Sequence, residues 1–177
     1  MKKIILSIFF VLPLCNYAQE GMRGIGANFG SEIVDPFEYG SGEGSISSLG
    51  VKYMYNKTDN VRLVPYFYIA QGEYYRLISG GYVDYDAEIT KFGINAHYIF
   101  GSIKRFRPYA VGGLYYMNVT DSDYYQSNTH SLFGVSFGVG AEYRIAYRWL
   151  FQIETLMNIH ADVDNTLLIM PSITYIF

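Results

Sequence analysis

Leu132-Phe133-Gly134-Val135-Ser136-Phe137-Gly138-Val139-Gly140-Ala141-Glu142-Tyr143-Arg144-Ile145 alternates without a break. Phe133, Val135, Phe137, Val139, Ala141, Tyr143 and Ile145 occupy one parity, and Gly134, Ser136, Gly138, Gly140, Glu142 and Arg144 the other. Successive side chains of a strand point to opposite faces, so this stretch is a β-strand with one apolar face and one small or polar face. At 14 residues it outruns the ~5–6 residues of an ordinary soluble strand. In a soluble sandwich the apolar face would pack on a second sheet. In a membrane barrel it faces lipid, and the small, polar face fills the lumen.

The same alternation recurs along the chain. Leu49, Val51, Tyr53 and Tyr55 oppose Gly50, Lys52, Met54 and Asn56. Phe92 to Phe100 on the even positions oppose Lys91, Gly93, Asn95, His97 and Ile99. Trp149, Phe151, Ile153, Thr155, Met157 and Ile159 oppose Leu150, Gln152, Glu154, Leu156, Asn158 and His160. The last run, Leu167, Ile169, Pro171, Ile173, Tyr175 and Phe177, closes the sequence. Segments 61–70 and 107–119 are apolar on both parities, so their facing stays open. Pro65 and Pro108 cannot donate to a ladder and are placed near strand starts.

Leu49-Gly50-Val51, Phe92-Gly93-Ile94 and Phe133-Gly134-Val135 recur at spacings of 43 and 41 residues, and Pro65-Tyr66 and Pro108-Tyr109 at 43. One such period holds an up-strand, a loop and a down-strand, and three and a half periods are too few for a propeller. Eight strands result, at about 20–32, 45–57, 61–73, 86–100, 105–120, 131–145, 148–160 and 166–177. Their connections alternate. Short ones fall at 57–60, 101–105 and 146–147. Longer ones fall at 31–44, 71–86 and 120–130, with a shorter fourth at 161–165. Short periplasmic turns, long external loops and an even strand number describe an all-β, eight-stranded, antiparallel up-and-down transmembrane barrel with both ends in the periplasm. Tyr53, Tyr55, Tyr98, Phe100, Tyr143, Trp149, Tyr175 and Phe177 fall at periplasmic strand ends. Tyr74, Tyr75, Tyr115, Tyr116, Tyr124 and Tyr125 fall at external ends, giving two aromatic girdles.

The start of the chain has a different character. Lys2 and Lys3 precede the apolar run Ile4–Leu14, and Asn16-Tyr17-Ala18 offers a small residue for cleavage. That run is shorter than the ~20 residues a spanning helix needs. Residues 1–18 therefore read as an export signal and 19–177 as the barrel. Lipidation at Cys15 is the competing reading, disfavoured because Leu14 is not small. Cys15 is the only cysteine, so the exported chain has no disulfide or thiol chemistry. Loss of Lys2 and Lys3 takes Lys+Arg from 13 to 11 against 16 acidic residues, moving the net charge from −3 to −5. That charge argues against nucleic-acid binding.

The sequence resembles the barrel domain of the small eight-stranded OmpA/OmpX-like outer-membrane families over its whole exported length. The most specific element is the terminal pattern Ile173, Tyr175, Phe177, with Ile169 and Pro171 at alternate positions before it. The resemblance implies that this pattern is the assembly signal read by the barrel-assembly machinery, with periplasmic chaperones as further biogenesis partners. It also implies outer-membrane lipid as the surroundings, in a Gram-negative cell. Pro171 departs from the pattern and suggests a bulge. A barrel without an appended periplasmic domain is expected.

An eight-stranded lumen is just wide enough to be filled by side chains. The inward set read from the alternation is Lys52, Lys91, Asn95, His97, Glu142, Arg144, Gln152, Glu154, Asn158 and His160. Buried charges must be paired. Glu142 and Arg144 meet Gln152 and Glu154 across a turn and, with Lys52 and Lys91, form a polar plug. A gated narrow pore is the alternative. His97, His130 and His160 lack metal-ligand spacing, so no metal, cofactor or catalytic residue is assigned.

Lipid A deacylases of this architecture carry a His-any-Ser motif. Here His160 is followed two residues on by Asp162, and His130-Ser131 has the wrong spacing because neighbours point to opposite faces. An enzyme is accordingly disfavoured. The acidic residues Glu32, Asp35, Glu38 and Glu43, with Asp84, Asp86, Asp121 and Asp123, are placed in external loops as a solvated rim or surface-interaction site. A soluble lipocalin-like barrel, with its apolar parity inward, is the remaining alternative. The expected role is non-enzymatic: envelope integrity or surface interaction through the loops.

Overall fold

The computed structural model describes residues 21–34, 44–78, 81–100, 105–122, 127–160 and 165–177. The proposed export signal, with Cys15, lies outside them. Eight strands run in chain order: β1 (Arg23–Val34), β2 (Gly44–Asn56), β3 (Val61–Ile78), β4 (Gly81–Ile99), β5 (Phe106–Ser122), β6 (Ser127–Ala146), β7 (Trp149–His160) and β8 (Thr166–Ile176). Each pairs antiparallel with the next, and β8 pairs antiparallel with β1 to close the barrel. The register passes from Arg23 through Tyr55, Leu63, Ala96, Gly112, Phe137, Met157 and Leu167 and returns to β1 at Ile33, ten residues from its start. That stagger tilts the strands and fixes the lumen's width.

The faces are sorted as the alternation requires. On β6, Phe133 is 77% exposed and Val139 63%, whereas Ser136 and Glu142 are buried. The two ambiguous strands resolve in the same way. Val64, Tyr66, Tyr68 and Ala70 face the lumen from β3, and Tyr109, Val111, Tyr115 and Met117 from β5. Tyr115 is therefore a lumen residue and not part of the external girdle. The inward glycines explain how so many rings fit. A β-carbon on Gly50 would meet the Tyr68 side chain, on Gly93 or Gly134 that of Tyr115, and on Gly140 the Tyr109 ring. Large and small residues thus complement each other across neighbouring strands, as close packing demands.

The outer surface carries aromatic clusters at two heights. Near one end Tyr116 contacts both Phe92 (5.2 Å between centroids) and Phe133 (4.9 Å). Near the other end, which holds the short turns, Tyr98 contacts Phe100 (5.3 Å) and Trp149 contacts Tyr175 (5.1 Å). Ten residues separate Phe133 from Tyr143 on β6; at ~3.3 Å per residue and ~40° of tilt they span about 25 Å, the height of an outer-membrane apolar band.

Several expectations change. The segments read as loops at 71–86 and 120–130 are largely strand: β3 and β4 pair as far as Ile78 with Gly81, and β5 and β6 as far as Ser122 with Ser127. Asp84, Asp86, Asp121 and His130 consequently lie on strands. Glu32 is on β1 and only 1% exposed. Side-chain surroundings of Tyr74 and Tyr75 lie outside the described residues, as do Asp35, Glu38, Glu43, Asp123, Tyr124 and Tyr125.

The prolines do not bulge the sheet. Pro65 is the fifth residue of β3, and the β2–β3 ladder lacks the two pairs between Lys52–Tyr66 and Tyr55–Leu63. Pro171 sits where the β1–β8 ladder lacks the two pairs between Asn28–Ser172 and Ser31–Ile169. Each interrupts a ladder by removing a donor while the register holds. The register shift in the described strands lies instead between Arg144 and Ala146.

Candidate functional site

The lumen concentrates the molecule's buried charge in three clusters, each built on one carboxylate. Glu142 on β6 receives Arg62 Nη1 of β3 at 2.6 Å and is also ion-paired with Arg107 of β5. Gln152 Nε2 of β7 donates to its Oε2 at 3.3 Å, and Arg62 Nε donates to Asn56 Oδ1 at 2.7 Å. Glu154 on β7 accepts from Lys52 Nζ of β2 (3.2 Å) and from Tyr109 Oη of β5 (3.0 Å). Lys52 Nζ also donates to Ser172 Oγ at 2.7 Å. His97 stacks on Tyr109, with centroids 4.6 Å apart, and its Nε2 lies 4.0 Å from Glu154.

Glu32 on β1 anchors the third cluster. It accepts from Asn158 Nδ2 (2.9 Å), from Tyr68 Oη (3.2 Å) and from the Thr166 hydroxyl. Lys91 Nζ of β4 lies 3.8 Å from it and over the Tyr115 ring at 3.8 Å from the centroid. Tyr115 Oη in turn lies 3.0 Å from His160 Nδ1. Charge-assisted bonds of this kind are strong where water is scarce.

Nine of the ten residues of the inward set read from the sequence are buried, Arg144 being the exception, and their grouping differs from the expected one. Lys91 pairs with Glu32, away from the Glu142 and Glu154 clusters. Arg144 is only partly buried, and the cations on Glu142 are Arg62 and Arg107. Glu32, Arg62, Arg107, Tyr68 and Tyr109 were missed. Arg62 and Arg107 stand beside strand starts and prolines, where the parity was unassigned. A signal for Glu32 existed: Gly24, Gly26, Asn28 and Gly30 share its parity against Ile25 and Phe29.

Apolar side chains pack alongside and beyond this polar column. Met54, Val64, Leu150 and Ile176 pack together towards the turn end. Ile46, Ala70, Ala87, Ile89, Met117 and Leu168 belong to the cluster that extends towards the loop end. Among the described residues no group of three or more His, Cys, Asp or Glu is arranged to hold a metal. His160 points into the lumen towards Tyr115, and Ser131 Oγ donates to Asn118 Oδ1 at 2.7 Å. Asp162 lies outside the described residues.

Lipid-compatible residues outside and ion pairs inside define an integral membrane barrel, not a lipocalin-like one. The chain belongs to the outer-membrane protein β-barrel domain family, whose model matches residues 4–169. It shares its fold with the N-terminal β-barrel domain of Pseudomonas aeruginosa OprF (16% identity, 89% of this chain and 100% of that one, TM-score 0.57). It is likewise similar to Ail, the attachment invasion locus protein of Yersinia pestis (16%, 89% and 99%, 0.57). A third similar structure is Neisserial surface protein A (12%, 88% and 96%, 0.60). No curated protein matches the chain.

Proposed function

We propose that the protein is a non-enzymatic barrel of the Gram-negative outer membrane, plugged by its own side chains, that stabilises the envelope and presents its loop end to the surroundings. The observation carrying this reading is the set of three lumen carboxylates, each joined to cations from other strands: Glu142 to Arg62 and Arg107, Glu154 to Lys52, Glu32 to Lys91. An open aqueous pore would leave such groups hydrated, whereas all of these side chains are 7% exposed or less.

Presentation at the loop end is supported by strand length. β3 to β6 have 17–20 residues, against 11–13 for β7, β8, β1 and β2. One side of the barrel therefore stands above the aromatic cluster as a wall, and its outer face turns polar: Ser131, Thr129 and Ser127 bond across to Asn118, Thr120 and Ser122.

Two measurements test the reading. In planar bilayers the wild-type barrel gives no discrete ion conductance; a size-selective conductance abolished by blocking the lumen would establish the pore instead. On intact cells a membrane-impermeant thiol reagent labels Ser127→Cys but reaches Thr58→Cys only after permeabilisation. The reverse pattern, or recovery without detergent in the soluble fraction, overturns the placement.

A further inference from the structure

We propose that the turn-end rim across β2, β1, β8 and β7 binds the phosphodiester headgroups of anionic phospholipids in the periplasmic leaflet, with Arg23 and Arg148 as the contacting cations. The inference rests on the membrane placement proposed above. It begins with the side chains on that rim. Arg148, in the turn before β7, is exposed; its Nη1 donates to Tyr175 Oη at 2.8 Å, and its guanidinium carbon lies 5.9 and 6.0 Å from the Tyr147 and Tyr175 ring centroids. Tyr175 is itself braced edge-on by Trp149. Arg23 is exposed at the start of β1, opposite Tyr55 on one side and adjoining Phe177 on the other, where Phe177 N donates to Arg23 O at 3.0 Å.

Neither arginine forms an ion pair among the described residues. The outward positions of the four strands at this end are Tyr53, Tyr55, Ile25, Ile173, Tyr175, Trp149 and Phe151 around the arginines, without one Asp or Glu; the adjoining β2–β3 turn carries one acid, Asp59, together with Lys57. A guanidinium has five donors in a planar fork that matches two phosphate oxygens. Arg148 commits one of those donors to Tyr175 and keeps a fork for an outside acceptor. Held among aromatic rings at headgroup depth, that fork meets a lipid phosphate, the anion present at this height.

The opposite rim shows the contrast. Outward Glu73 and Asp86 face each other across the β3–β4 ladder, and Gln71 Nε2 donates to Glu88 Oε1 at 3.2 Å. The arc beneath the turn-end aromatics is cationic, and the wall above the other cluster is acidic. Among the described residues, charge complementarity with an anionic leaflet therefore belongs to the turn-end arc and not to the β3–β4 wall.

The test uses the full folded barrel in nanodiscs of phosphatidylcholine alone and of an equimolar phosphatidylcholine–phosphatidylglycerol mixture. Native mass spectrometry counts the phosphatidylglycerol each barrel carries out of the disc, and heat-modifiable gel mobility verifies folding. The wild type carries phosphatidylglycerol. Arg23→Gln and Arg148→Gln, folded by the mobility criterion, each weaken its retention about fivefold, while Arg148→Lys, which keeps the charge and loses the fork, falls between wild type and Arg148→Gln, and Glu88→Gln leaves retention unchanged. Equal retention in wild type and both Gln variants overturns the proposal, as does displacement of the lipid by inorganic phosphate. A barrel that inserts into neither disc overturns the membrane reading and this inference with it, whereas insertion without headgroup preference overturns the inference alone.

Discussion

The two faces of β6 differ as sharply as any two regions of the molecule. Glu142 points inward at 1% exposure, and its chain neighbour Tyr143 points outward at 36%. Inside, stability depends on ion pairs drawn from several strands. Outside, it depends on apolar rings and branched chains meeting a solvent that is itself apolar. The usual rule of apolar core and polar surface is reversed because the solvent is lipid, while the backbone satisfies itself in a closed ladder. One covalent chain carries both environments a single residue apart, so a slip of β6 by one residue would turn Glu142 into lipid and Tyr143 into the lumen.

That contrast can be broken most severely from within. Glu142→Gln keeps the shape but leaves Arg62 and Arg107 in the lumen without their carboxylate. An uncompensated buried charge costs about 3–5 kcal/mol, measurable as a lowered urea midpoint for the barrel refolded in vesicles. Breaking the outer face is expected to cost somewhat less. Val139→Arg places a cation near the middle of the apolar band, at about 2–4 kcal/mol, read in the same titration. A loss from Val139→Arg near zero would mean that this face does not meet lipid.

The packing between the faces is tested by Gly140→Ala. The added carbon meets the Tyr109 ring, and the required shift costs about 1–3 kcal/mol, with Tyr109 and its bond to Glu154 the first to move. The smallest effect is expected above the girdle. Thr129→Ala removes one exposed hydroxyl bond to Thr120 (3.1 Å) and changes stability by less than about 0.5 kcal/mol.

How much of this was legible follows from the same contrast. The strand 132–145 was readable because its two faces use different alphabets, apolar against Gly, Ser and charge. β3 and β5 were not, because tyrosine serves both: Tyr116 packs with Phe92 and Phe133 outside, while Tyr115 holds His160 inside. Periodicity cannot distinguish a phenol at a membrane interface from one donating into a lumen. The ion pairs were hidden for another reason. Arg62 and Glu142 are 80 residues apart, and only the closed register brings their strands face to face. The tall wall does not read as strand because 71–86 and 120–130 have no apolar parity, and a strand standing clear of lipid has no need of one.

Closure gives Glu32 a meaning in time. Seven of the eight ladders join strands adjacent in sequence, and only β1 with β8 joins the two ends. Glu32 takes Asn158 and Thr166, 126 and 134 residues away, across this last seam, which Pro171 leaves short of two ladder pairs. Distant contacts form late, after the chain has paid its loop-closure entropy. Until β8 arrives, the carboxylate stands at an open edge without those two donors. Sealing the seam and completing the donors of Glu32 therefore coincide.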